Sequence, residues 1–263
     1  MASATEAVSP PPTEQEVAQR TLCLGVMVIR AEYEISVKEN NNKPNEKIEK
    51  SNEQLVNLIQ TENLMPSFSK REKVLIKKEL GSWSNQDIAD MFWRNQALAI
   101  LLWAVSYLSE IRPYDKGYLP IETWPILFFP INKEFMSFVP LTKTFYSHIH
   151  LRSLEEINKA RETAQHWYWR AQTERIIKKG KIQGAEGLTF LEIIKMSAKD
   201  GYTRGWHGKP IKNDLPIHGK AYADLTEQEF SQTKSLTKER YYALNWLAGY
   251  STKNNWDEVP TNT

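Results

Sequence analysis

Along the chain a Ser or Thr repeatedly stands three residues before a carboxylate, and each such pair precedes or opens an apolar pattern of helical period. The pairs are Thr13 with Glu16, Ser84 with Asp87, Ser153 with Glu156, Thr189 with Glu192, and Thr226 with Glu229. The hydroxyl and the carboxylate satisfy amides that a helix start leaves without partners, so each pair marks a helix beginning. A chain punctuated in this way is restricted to a mainly α fold. Its apolar spacing predicts helices at 13–38, 50–62, 69–80, 84–111, 153–178, 189–199, 226–232 and 236–249. Gly249 is the predicted C-terminal cap of the last one.

Two stretches break this pattern. From Pro113 to Pro140 five prolines interrupt an apolar run, which excludes a continuous helix and predicts an irregular, β-hairpin-containing insertion around 113–150. The glycine-rich "GYTRGWHGKPIKNDLPIHGKAY", Gly201 to Tyr222, is a second long irregular connection, a type of segment that often carries function. The polar "KENNNKPNEKIEK" reads as an exposed turn after the first helix. At 263 residues the chain fits a single helical domain over 13–263, preceded by a disordered tail over 1–12.

Composition narrows the functional classes. Thirty-four basic and thirty-two acidic residues are interspersed and leave a net charge of +2, so no long-range field draws the chain to nucleic acid or membrane. The longest apolar block, Ala97 to Val105, is well short of the roughly 20 residues that cross a bilayer. The opening "MASATEAVSPPPTEQE" lacks the basic start and apolar run of a secretory signal. The lone Cys23 sits between Leu22 and Leu24, which reads as a small buried hydrophobe in a reducing compartment. A cytoplasmic location is the expectation.

Arginines occupy positions that a helix normally reserves for apolar side chains. Arg94 shares a stripe with Met91, Leu98, Leu101 and Val105; Arg20 falls in a row with Val17, Leu24 and Met27; Arg240 falls in a row with Leu236, Ala243 and Leu247. Arg170 follows Trp167 and adjoins Trp169 in "HWYWRA". A guanidinium removed from water without a partner costs several kcal/mol, so each must meet a carboxylate, a carbonyl or a ligand anion. Glu16, Asp90, Glu239 and Asp257 lie near the same helices. The structural reading pairs Arg20 and its neighbours with Glu16, Glu239 and Asp257. The functional reading gathers Arg94, Arg170 and Arg240, with Trp169 and Trp246, around a small anionic ligand.

The segments "MFWRNQALAILLWAV", "LRSLEEINKARETAQHWYWRAQ" and "NDLPIHGKAYADL", and above all "ERYYALNWLAGY" followed by "WDEVPTNT", resemble the bacterial family catalogued as domain of unknown function 4272. The resemblance runs from about Glu14 to Thr263 and implies a mostly helical domain, with no activity, substrate or cofactor to carry over. Family members usually end in Thr-Asp-Thr. Thr261, Asn262 and Thr263 depart from that ending, which removes its carboxylate here.

Other constellations carry weaker chemistry. His148 and His150 have a spacing that would put two imidazoles on one face of a strand, but no third metal ligand lies nearby. His166 reads as a packed histidine, and His207, His218 and Asp214 share the glycine-rich connection. "WYWRAQTERIIKKGK" interleaves aromatic and basic residues, a pattern equally explained by a helix end whose dipole favours cations, so nucleic acid is not an expected partner. Walker, dinucleotide, nucleophile-elbow and HExxH motifs are missing from the sequence, and no cofactor or metal is expected. The resulting expectation is a non-catalytic cytoplasmic protein that binds or regulates another protein. The alternative is an enzyme or sensor for a small anionic ligand held by converging arginines.

Overall fold

The computed structural model describes residues 8–123, 128–132, 137–140, 142–182, 184 and 187–261. The fold is mainly α. Helices α1 (Glu14–Glu39), α2 (Glu46–Thr61), α3 (Lys70–Ile76) and α4 (Asn85–Ala104) are followed by the short α5 (Pro120–Thr123), a hairpin of β1 (Phe128–Asn132) and β2 (Ser137–Pro140), and α6 (Thr142–His148). Helices α7 (Leu154–Lys178) and α8 (Phe190–Thr203), a second small hairpin of β3 (Pro216–Ile217) and β4 (Lys220–Ala221), and α9 (Glu227–Leu247) complete the order.

The core is a row of long helices in which α1 packs on α4, α4 on α9, and α9 on α7, with α2 against α1 and α8 against α7. Helix α1 is buried around its circumference: from Val17 to Ala31 every residue except Gln19 is buried, as expected of a helix apolar on all sides. The predicted caps at Thr13, Ser153, Thr189 and Thr226 form complete reciprocal boxes with their carboxylates. At Ser84 the hydroxyl accepts from the Asp87 amide at 3.1 Å and donates to its carboxylate at 2.7 Å. A further box, Ser69 with Glu72, opens α3.

Several boundaries differ from expectation, each for a local reason. Helix α2 begins earlier because the Asn45 side-chain Oδ1 accepts from the Ile48 amide at 2.9 Å. Helix α4 stops at Ala104 rather than near 111, because Ser106 turns left-handed and the Ser106 and Tyr107 amides close back on the Trp103 and Leu102 carbonyls. The two helices predicted over 226–249 are one, since Thr233, Leu236 and Thr237 continue the buried face. His148 ends a helix and is not on a strand. The irregular connection contains the β3–β4 hairpin, whose two turn residues, His218 and Gly219, both have positive φ.

At the end of α9, Gly249 (φ 80°) donates to the Trp246 carbonyl and Tyr250 to that of Asn245, which terminates the helix as predicted. The chain then folds back. Tyr242 hydroxyl donates to the Trp256 carbonyl, Trp246 Nε1 to that of Asn254 at 2.9 Å, and Asn245 Nδ2 to that of Pro260 at 2.7 Å. Of the predicted N-terminal tail, residues 1–7 lie outside the described residues. Residues 8–12 are fastened: the Val8 and Ser9 amides donate to the Gly249 carbonyl at 3.0 and 3.1 Å, and Pro12 is buried. Asn262 and Thr263 are likewise outside the described residues. Among the described residues no helix is long and apolar enough to cross a membrane.

Candidate functional site

The inward arginines each acquire a separate set of partners. Arg94 reaches from α4 to α9, where Nη1 meets Glu239 at 2.8 Å and the guanidinium lies 3.9 Å above the Tyr242 ring. Burial is the largest influence and opposes its charge, but Glu239, Tyr242 and Glu72 together outweigh it and hold the group above its ordinary pKa. Arg170 on α7 binds Asp214 through two parallel bonds and Glu174 through a third, over the Tyr222 ring. Arg240, fully buried on α9, has no carboxylate partner among the described residues. Its nitrogens donate to the carbonyls of Arg112, Pro113 and Lys116 at 2.6, 3.3 and 2.8 Å, with Tyr114 and Tyr118 beside the guanidinium. Burial lowers its pKa, and the two tyrosines act in the opposite sense.

The expected arrangement is therefore corrected at several positions. Glu16 and Asp257 were expected in arginine ion pairs, yet both carboxylates serve backbone amides. Glu16 caps α1 at Thr13, and Asp257 accepts from the Arg71 amide at 3.0 Å. Asp90 pairs with Arg71 at 2.6 Å. Glu239 does pair with an arginine, and Arg20 pairs with Glu72 at 2.5 Å, a carboxylate that also completes the Ser69 capping box. Two further buried arginines escaped the sequence reading. Arg30 is bound by Glu34, Asn52 and the Lys78 carbonyl, and Arg161 by Asn245 under the Tyr250 ring. The position of Arg30 inside the apolar "LGVMVIRAEYEISV" was the signal for it.

Beside Arg20 the surface opens into a cleft of about 330 Å³. One wall is the first turns of α1, with Glu16, Gln19 and Arg20; a second is the segment from Ser67 to Lys73; the third is the C-terminal turn from Lys253 to Trp256, backed by Trp246. Trp256 fixes this third wall. It packs edge to face on Trp246 and Tyr242, and the guanidinium groups of Arg20 and Arg94 lie 5.1 and 5.6 Å from its ring. Of the expected ligand residues, Trp246 lines the cleft. Arg94, Arg170, Arg240 and Trp169 do not, and Trp169 instead stacks on His166.

The electrostatics of the cleft are one-sided. Arg20 gives Nη2 to Glu72 and Nη1 to the Ser67 carbonyl, while its Nε is buried without a partner, as is Asn254 Oδ1 on the opposite wall. Lys73 caps the Pro66 carbonyl at 2.9 Å, and Lys70 and Lys253 have no ion-pair partner among the described residues. Lys253 is held in the left-handed region (φ 53°), a conformation that costs about 1–2 kcal/mol for an L residue. Its amide donates to Ser9 Oγ at 2.8 Å.

A second polar cluster lies between α7 and α8. The rings of His166 and His207 stack at 5.3 Å, and both Nε2 atoms are buried without partners. Both point at Gly201, where an added Cβ would lie 2.7 Å from each. His207 Nδ1 is held by the Gly208 carbonyl and His166 Nδ1 lies 3.4 Å from Ser197 Oγ. Burial, then the neighbouring His207, drives the pKa of His166 from 6.5 to about 4, and burial lowers that of His207. Among the described residues no group of three or more His, Cys, Asp or Glu is placed to hold a metal ion.

The sequence model of a family described as Domain of unknown function (DUF4272) matches residues 3–185. The chain belongs to this family. The DUF4272 match covers the α1 and α3 walls of the cleft and ends before Trp246 and the C-terminal turn, so the closing motif of α9 and the tail lies beyond it. Comparison with curated proteins and with solved structures found no match.

Proposed function

We propose that this DUF4272 protein binds a small anionic molecule in the cleft between α1, the 67–73 segment and the C-terminal turn. The observation that carries the proposal is Arg20, a residue only 4 % exposed that keeps a buried Nε unpartnered in a cleft whose other walls carry Lys70 and Lys253, both without an ion-pair partner among the described residues. An unpartnered buried donor is costly, and an anion accepting from it removes that cost. The arginine that serves differs from those expected: Arg94 and Arg170 are engaged by carboxylates, and Arg240, whose Nε is also buried without a partner, is held by backbone carbonyls and lies outside the cleft lining.

A partner-protein reading would draw support from an exposed aromatic patch. Among the described residues the large exposed hydrophobics include two aromatic ones, Tyr146 and Tyr202, on different helices. The ligand reading is therefore the better supported. It describes a non-catalytic binding protein, which we place in the cytoplasm. Calorimetric titration with a panel of small anions at low ionic strength tests it. Binding that is reduced in Lys70→Glu supports the reading, and failure of every anion to bind the wild-type protein refutes it.

A further inference from the structure

We infer that the ligand of this cleft is a small phosphate monoester, a conclusion that rests on the anion-binding reading and specifies its chemistry. Four cationic side chains line the cleft, Arg20, Lys70, Lys73 and Lys253. Against them stand Glu16 on the wall and Glu72 behind it, bonded to Arg20. Two positive charges are left over. A carboxylate neutralises one of them, whereas a phosphoryl group above its second pKa of about 6 neutralises both and offers three acceptor oxygens. The cationic groups also come from different walls, Arg20 from α1, Lys70 from the start of α3 and Lys253 from the C-terminal turn. A tetrahedral anion can accept from several directions, which a planar carboxylate does less well.

The size of the cleft points to an ester rather than to free phosphate. About 330 Å³ falls within the range of small-molecule sites, roughly 300–1,000 Å³, and exceeds what one phosphate fills. The remaining wall, from Phe68, Trp246 and Trp256, offers apolar edges to a small organic body. The left-handed Lys253 fits the same picture, since strained backbone is held at sites where it positions a functional group. Its ammonium is the one contribution of the C-terminal turn to the charge of the cleft.

Calorimetric titrations with glycerol phosphate, sulfate and acetate, at pH 7 and pH 5, test the inference. Glycerol phosphate is expected to bind about tenfold more tightly than acetate at pH 7 and to lose about tenfold at pH 5, as its dianion is protonated. Sulfate remains a dianion, and the cleft lining holds no histidine, so sulfate binding should change little between the two. Lys253→Gly supplies a variant that relieves the left-handed backbone, so its melting temperature should hold or rise while glycerol phosphate affinity falls about tenfold. Acetate binding as tightly as glycerol phosphate overturns the phosphate inference and leaves the anion reading standing. Absence of binding by all three overturns both. Undiminished binding in Lys253→Gly places the ligand elsewhere and overturns the assignment. Phosphatidylcholine vesicles with and without phosphatidic acid test the lipid source, and binding to the acidic vesicles without binding to glycerol phosphate overturns the small-ester inference.

Discussion

The carboxylate of Asp214 receives the guanidinium of Arg170 on two parallel bonds, Nε to Oδ1 at 2.7 Å and Nη2 to Oδ2 at 2.6 Å. The same carboxylate accepts from the Leu215 amide at 2.7 Å and the Ala223 amide at 3.0 Å. One buried side chain thus fastens the glycine-rich connection to α7. Asp214→Ala leaves Arg170 charged and buried with only Glu174, and is expected to cost about 3–5 kcal/mol in a urea titration. Arg170→Lys should not rescue the geometry, because an ammonium cannot make the paired bonds.

Arg240→Ala removes the guanidinium that ties the carbonyls of Arg112, Pro113 and Lys116 to α9. The expected loss is about 3 kcal/mol of stability, measured by chemical denaturation, with the 112–118 segment becoming sensitive to limited proteolysis before the rest of the chain. An unchanged denaturation midpoint would contradict a structural role for this guanidinium.

Gly201→Ala exchanges the poorest common helix former for the best, yet it is expected to destabilise. The new methyl would stand 2.7 Å from both His166 Nε2 and His207 Nε2, well inside contact distance, in a stacked pair. Displacing the stacked pair should cost about 1–3 kcal/mol, read as a lower melting temperature.

The histidine pair also sets a pH dependence. The folded pKa of His166, about 4, lies below its ordinary 6.5, so the unfolded chain takes up a proton that the native state refuses. This contribution to stability is complete above pH 6.5 and declines as the pH falls from 6.5 toward 4. His207 shifts in the same direction, while Asp200 favours the charged form of His166 and Asp214 that of His207. Denaturation midpoints measured across this window should fall with pH in the wild type and less steeply in His166→Gln.

Cys23 should be inert in the folded protein. Burial pushes its thiol up to about 12, against the opposing charge of Arg20, and the side chain is fully enclosed. A disulfide reagent at pH 8 should leave the native thiol unmodified and titrate it once denaturant is added; rapid native reaction would contradict the burial.

What was legible in the sequence was local. Capping pairs such as Thr226 with Glu229 act within one turn, and the stripe holding Arg94 depends only on helical period, so both survive into the structure. Partners distant along the chain were not legible. Arg170 finds Asp214, 44 residues away, in a connection without regular spacing, and Arg20 finds Glu72, 52 residues away, on a helix of seven residues. The cleft was missed for the same reason: its walls come from three separated segments, and of its lining residues Glu16, Arg20 and Trp246 had been singled out in other roles.

The complete enclosure of α1 has a consequence during biosynthesis. The α9 surface that completes the helical row is made roughly 190 residues after this helix, a delay of about 10–40 s at about 5–20 residues per second. Arg20 and Arg30 gain their partners sooner, from Glu72 and the Lys78 carbonyl 52 and 48 residues behind them, so it is the α9-facing side of α4 that waits longest for cover.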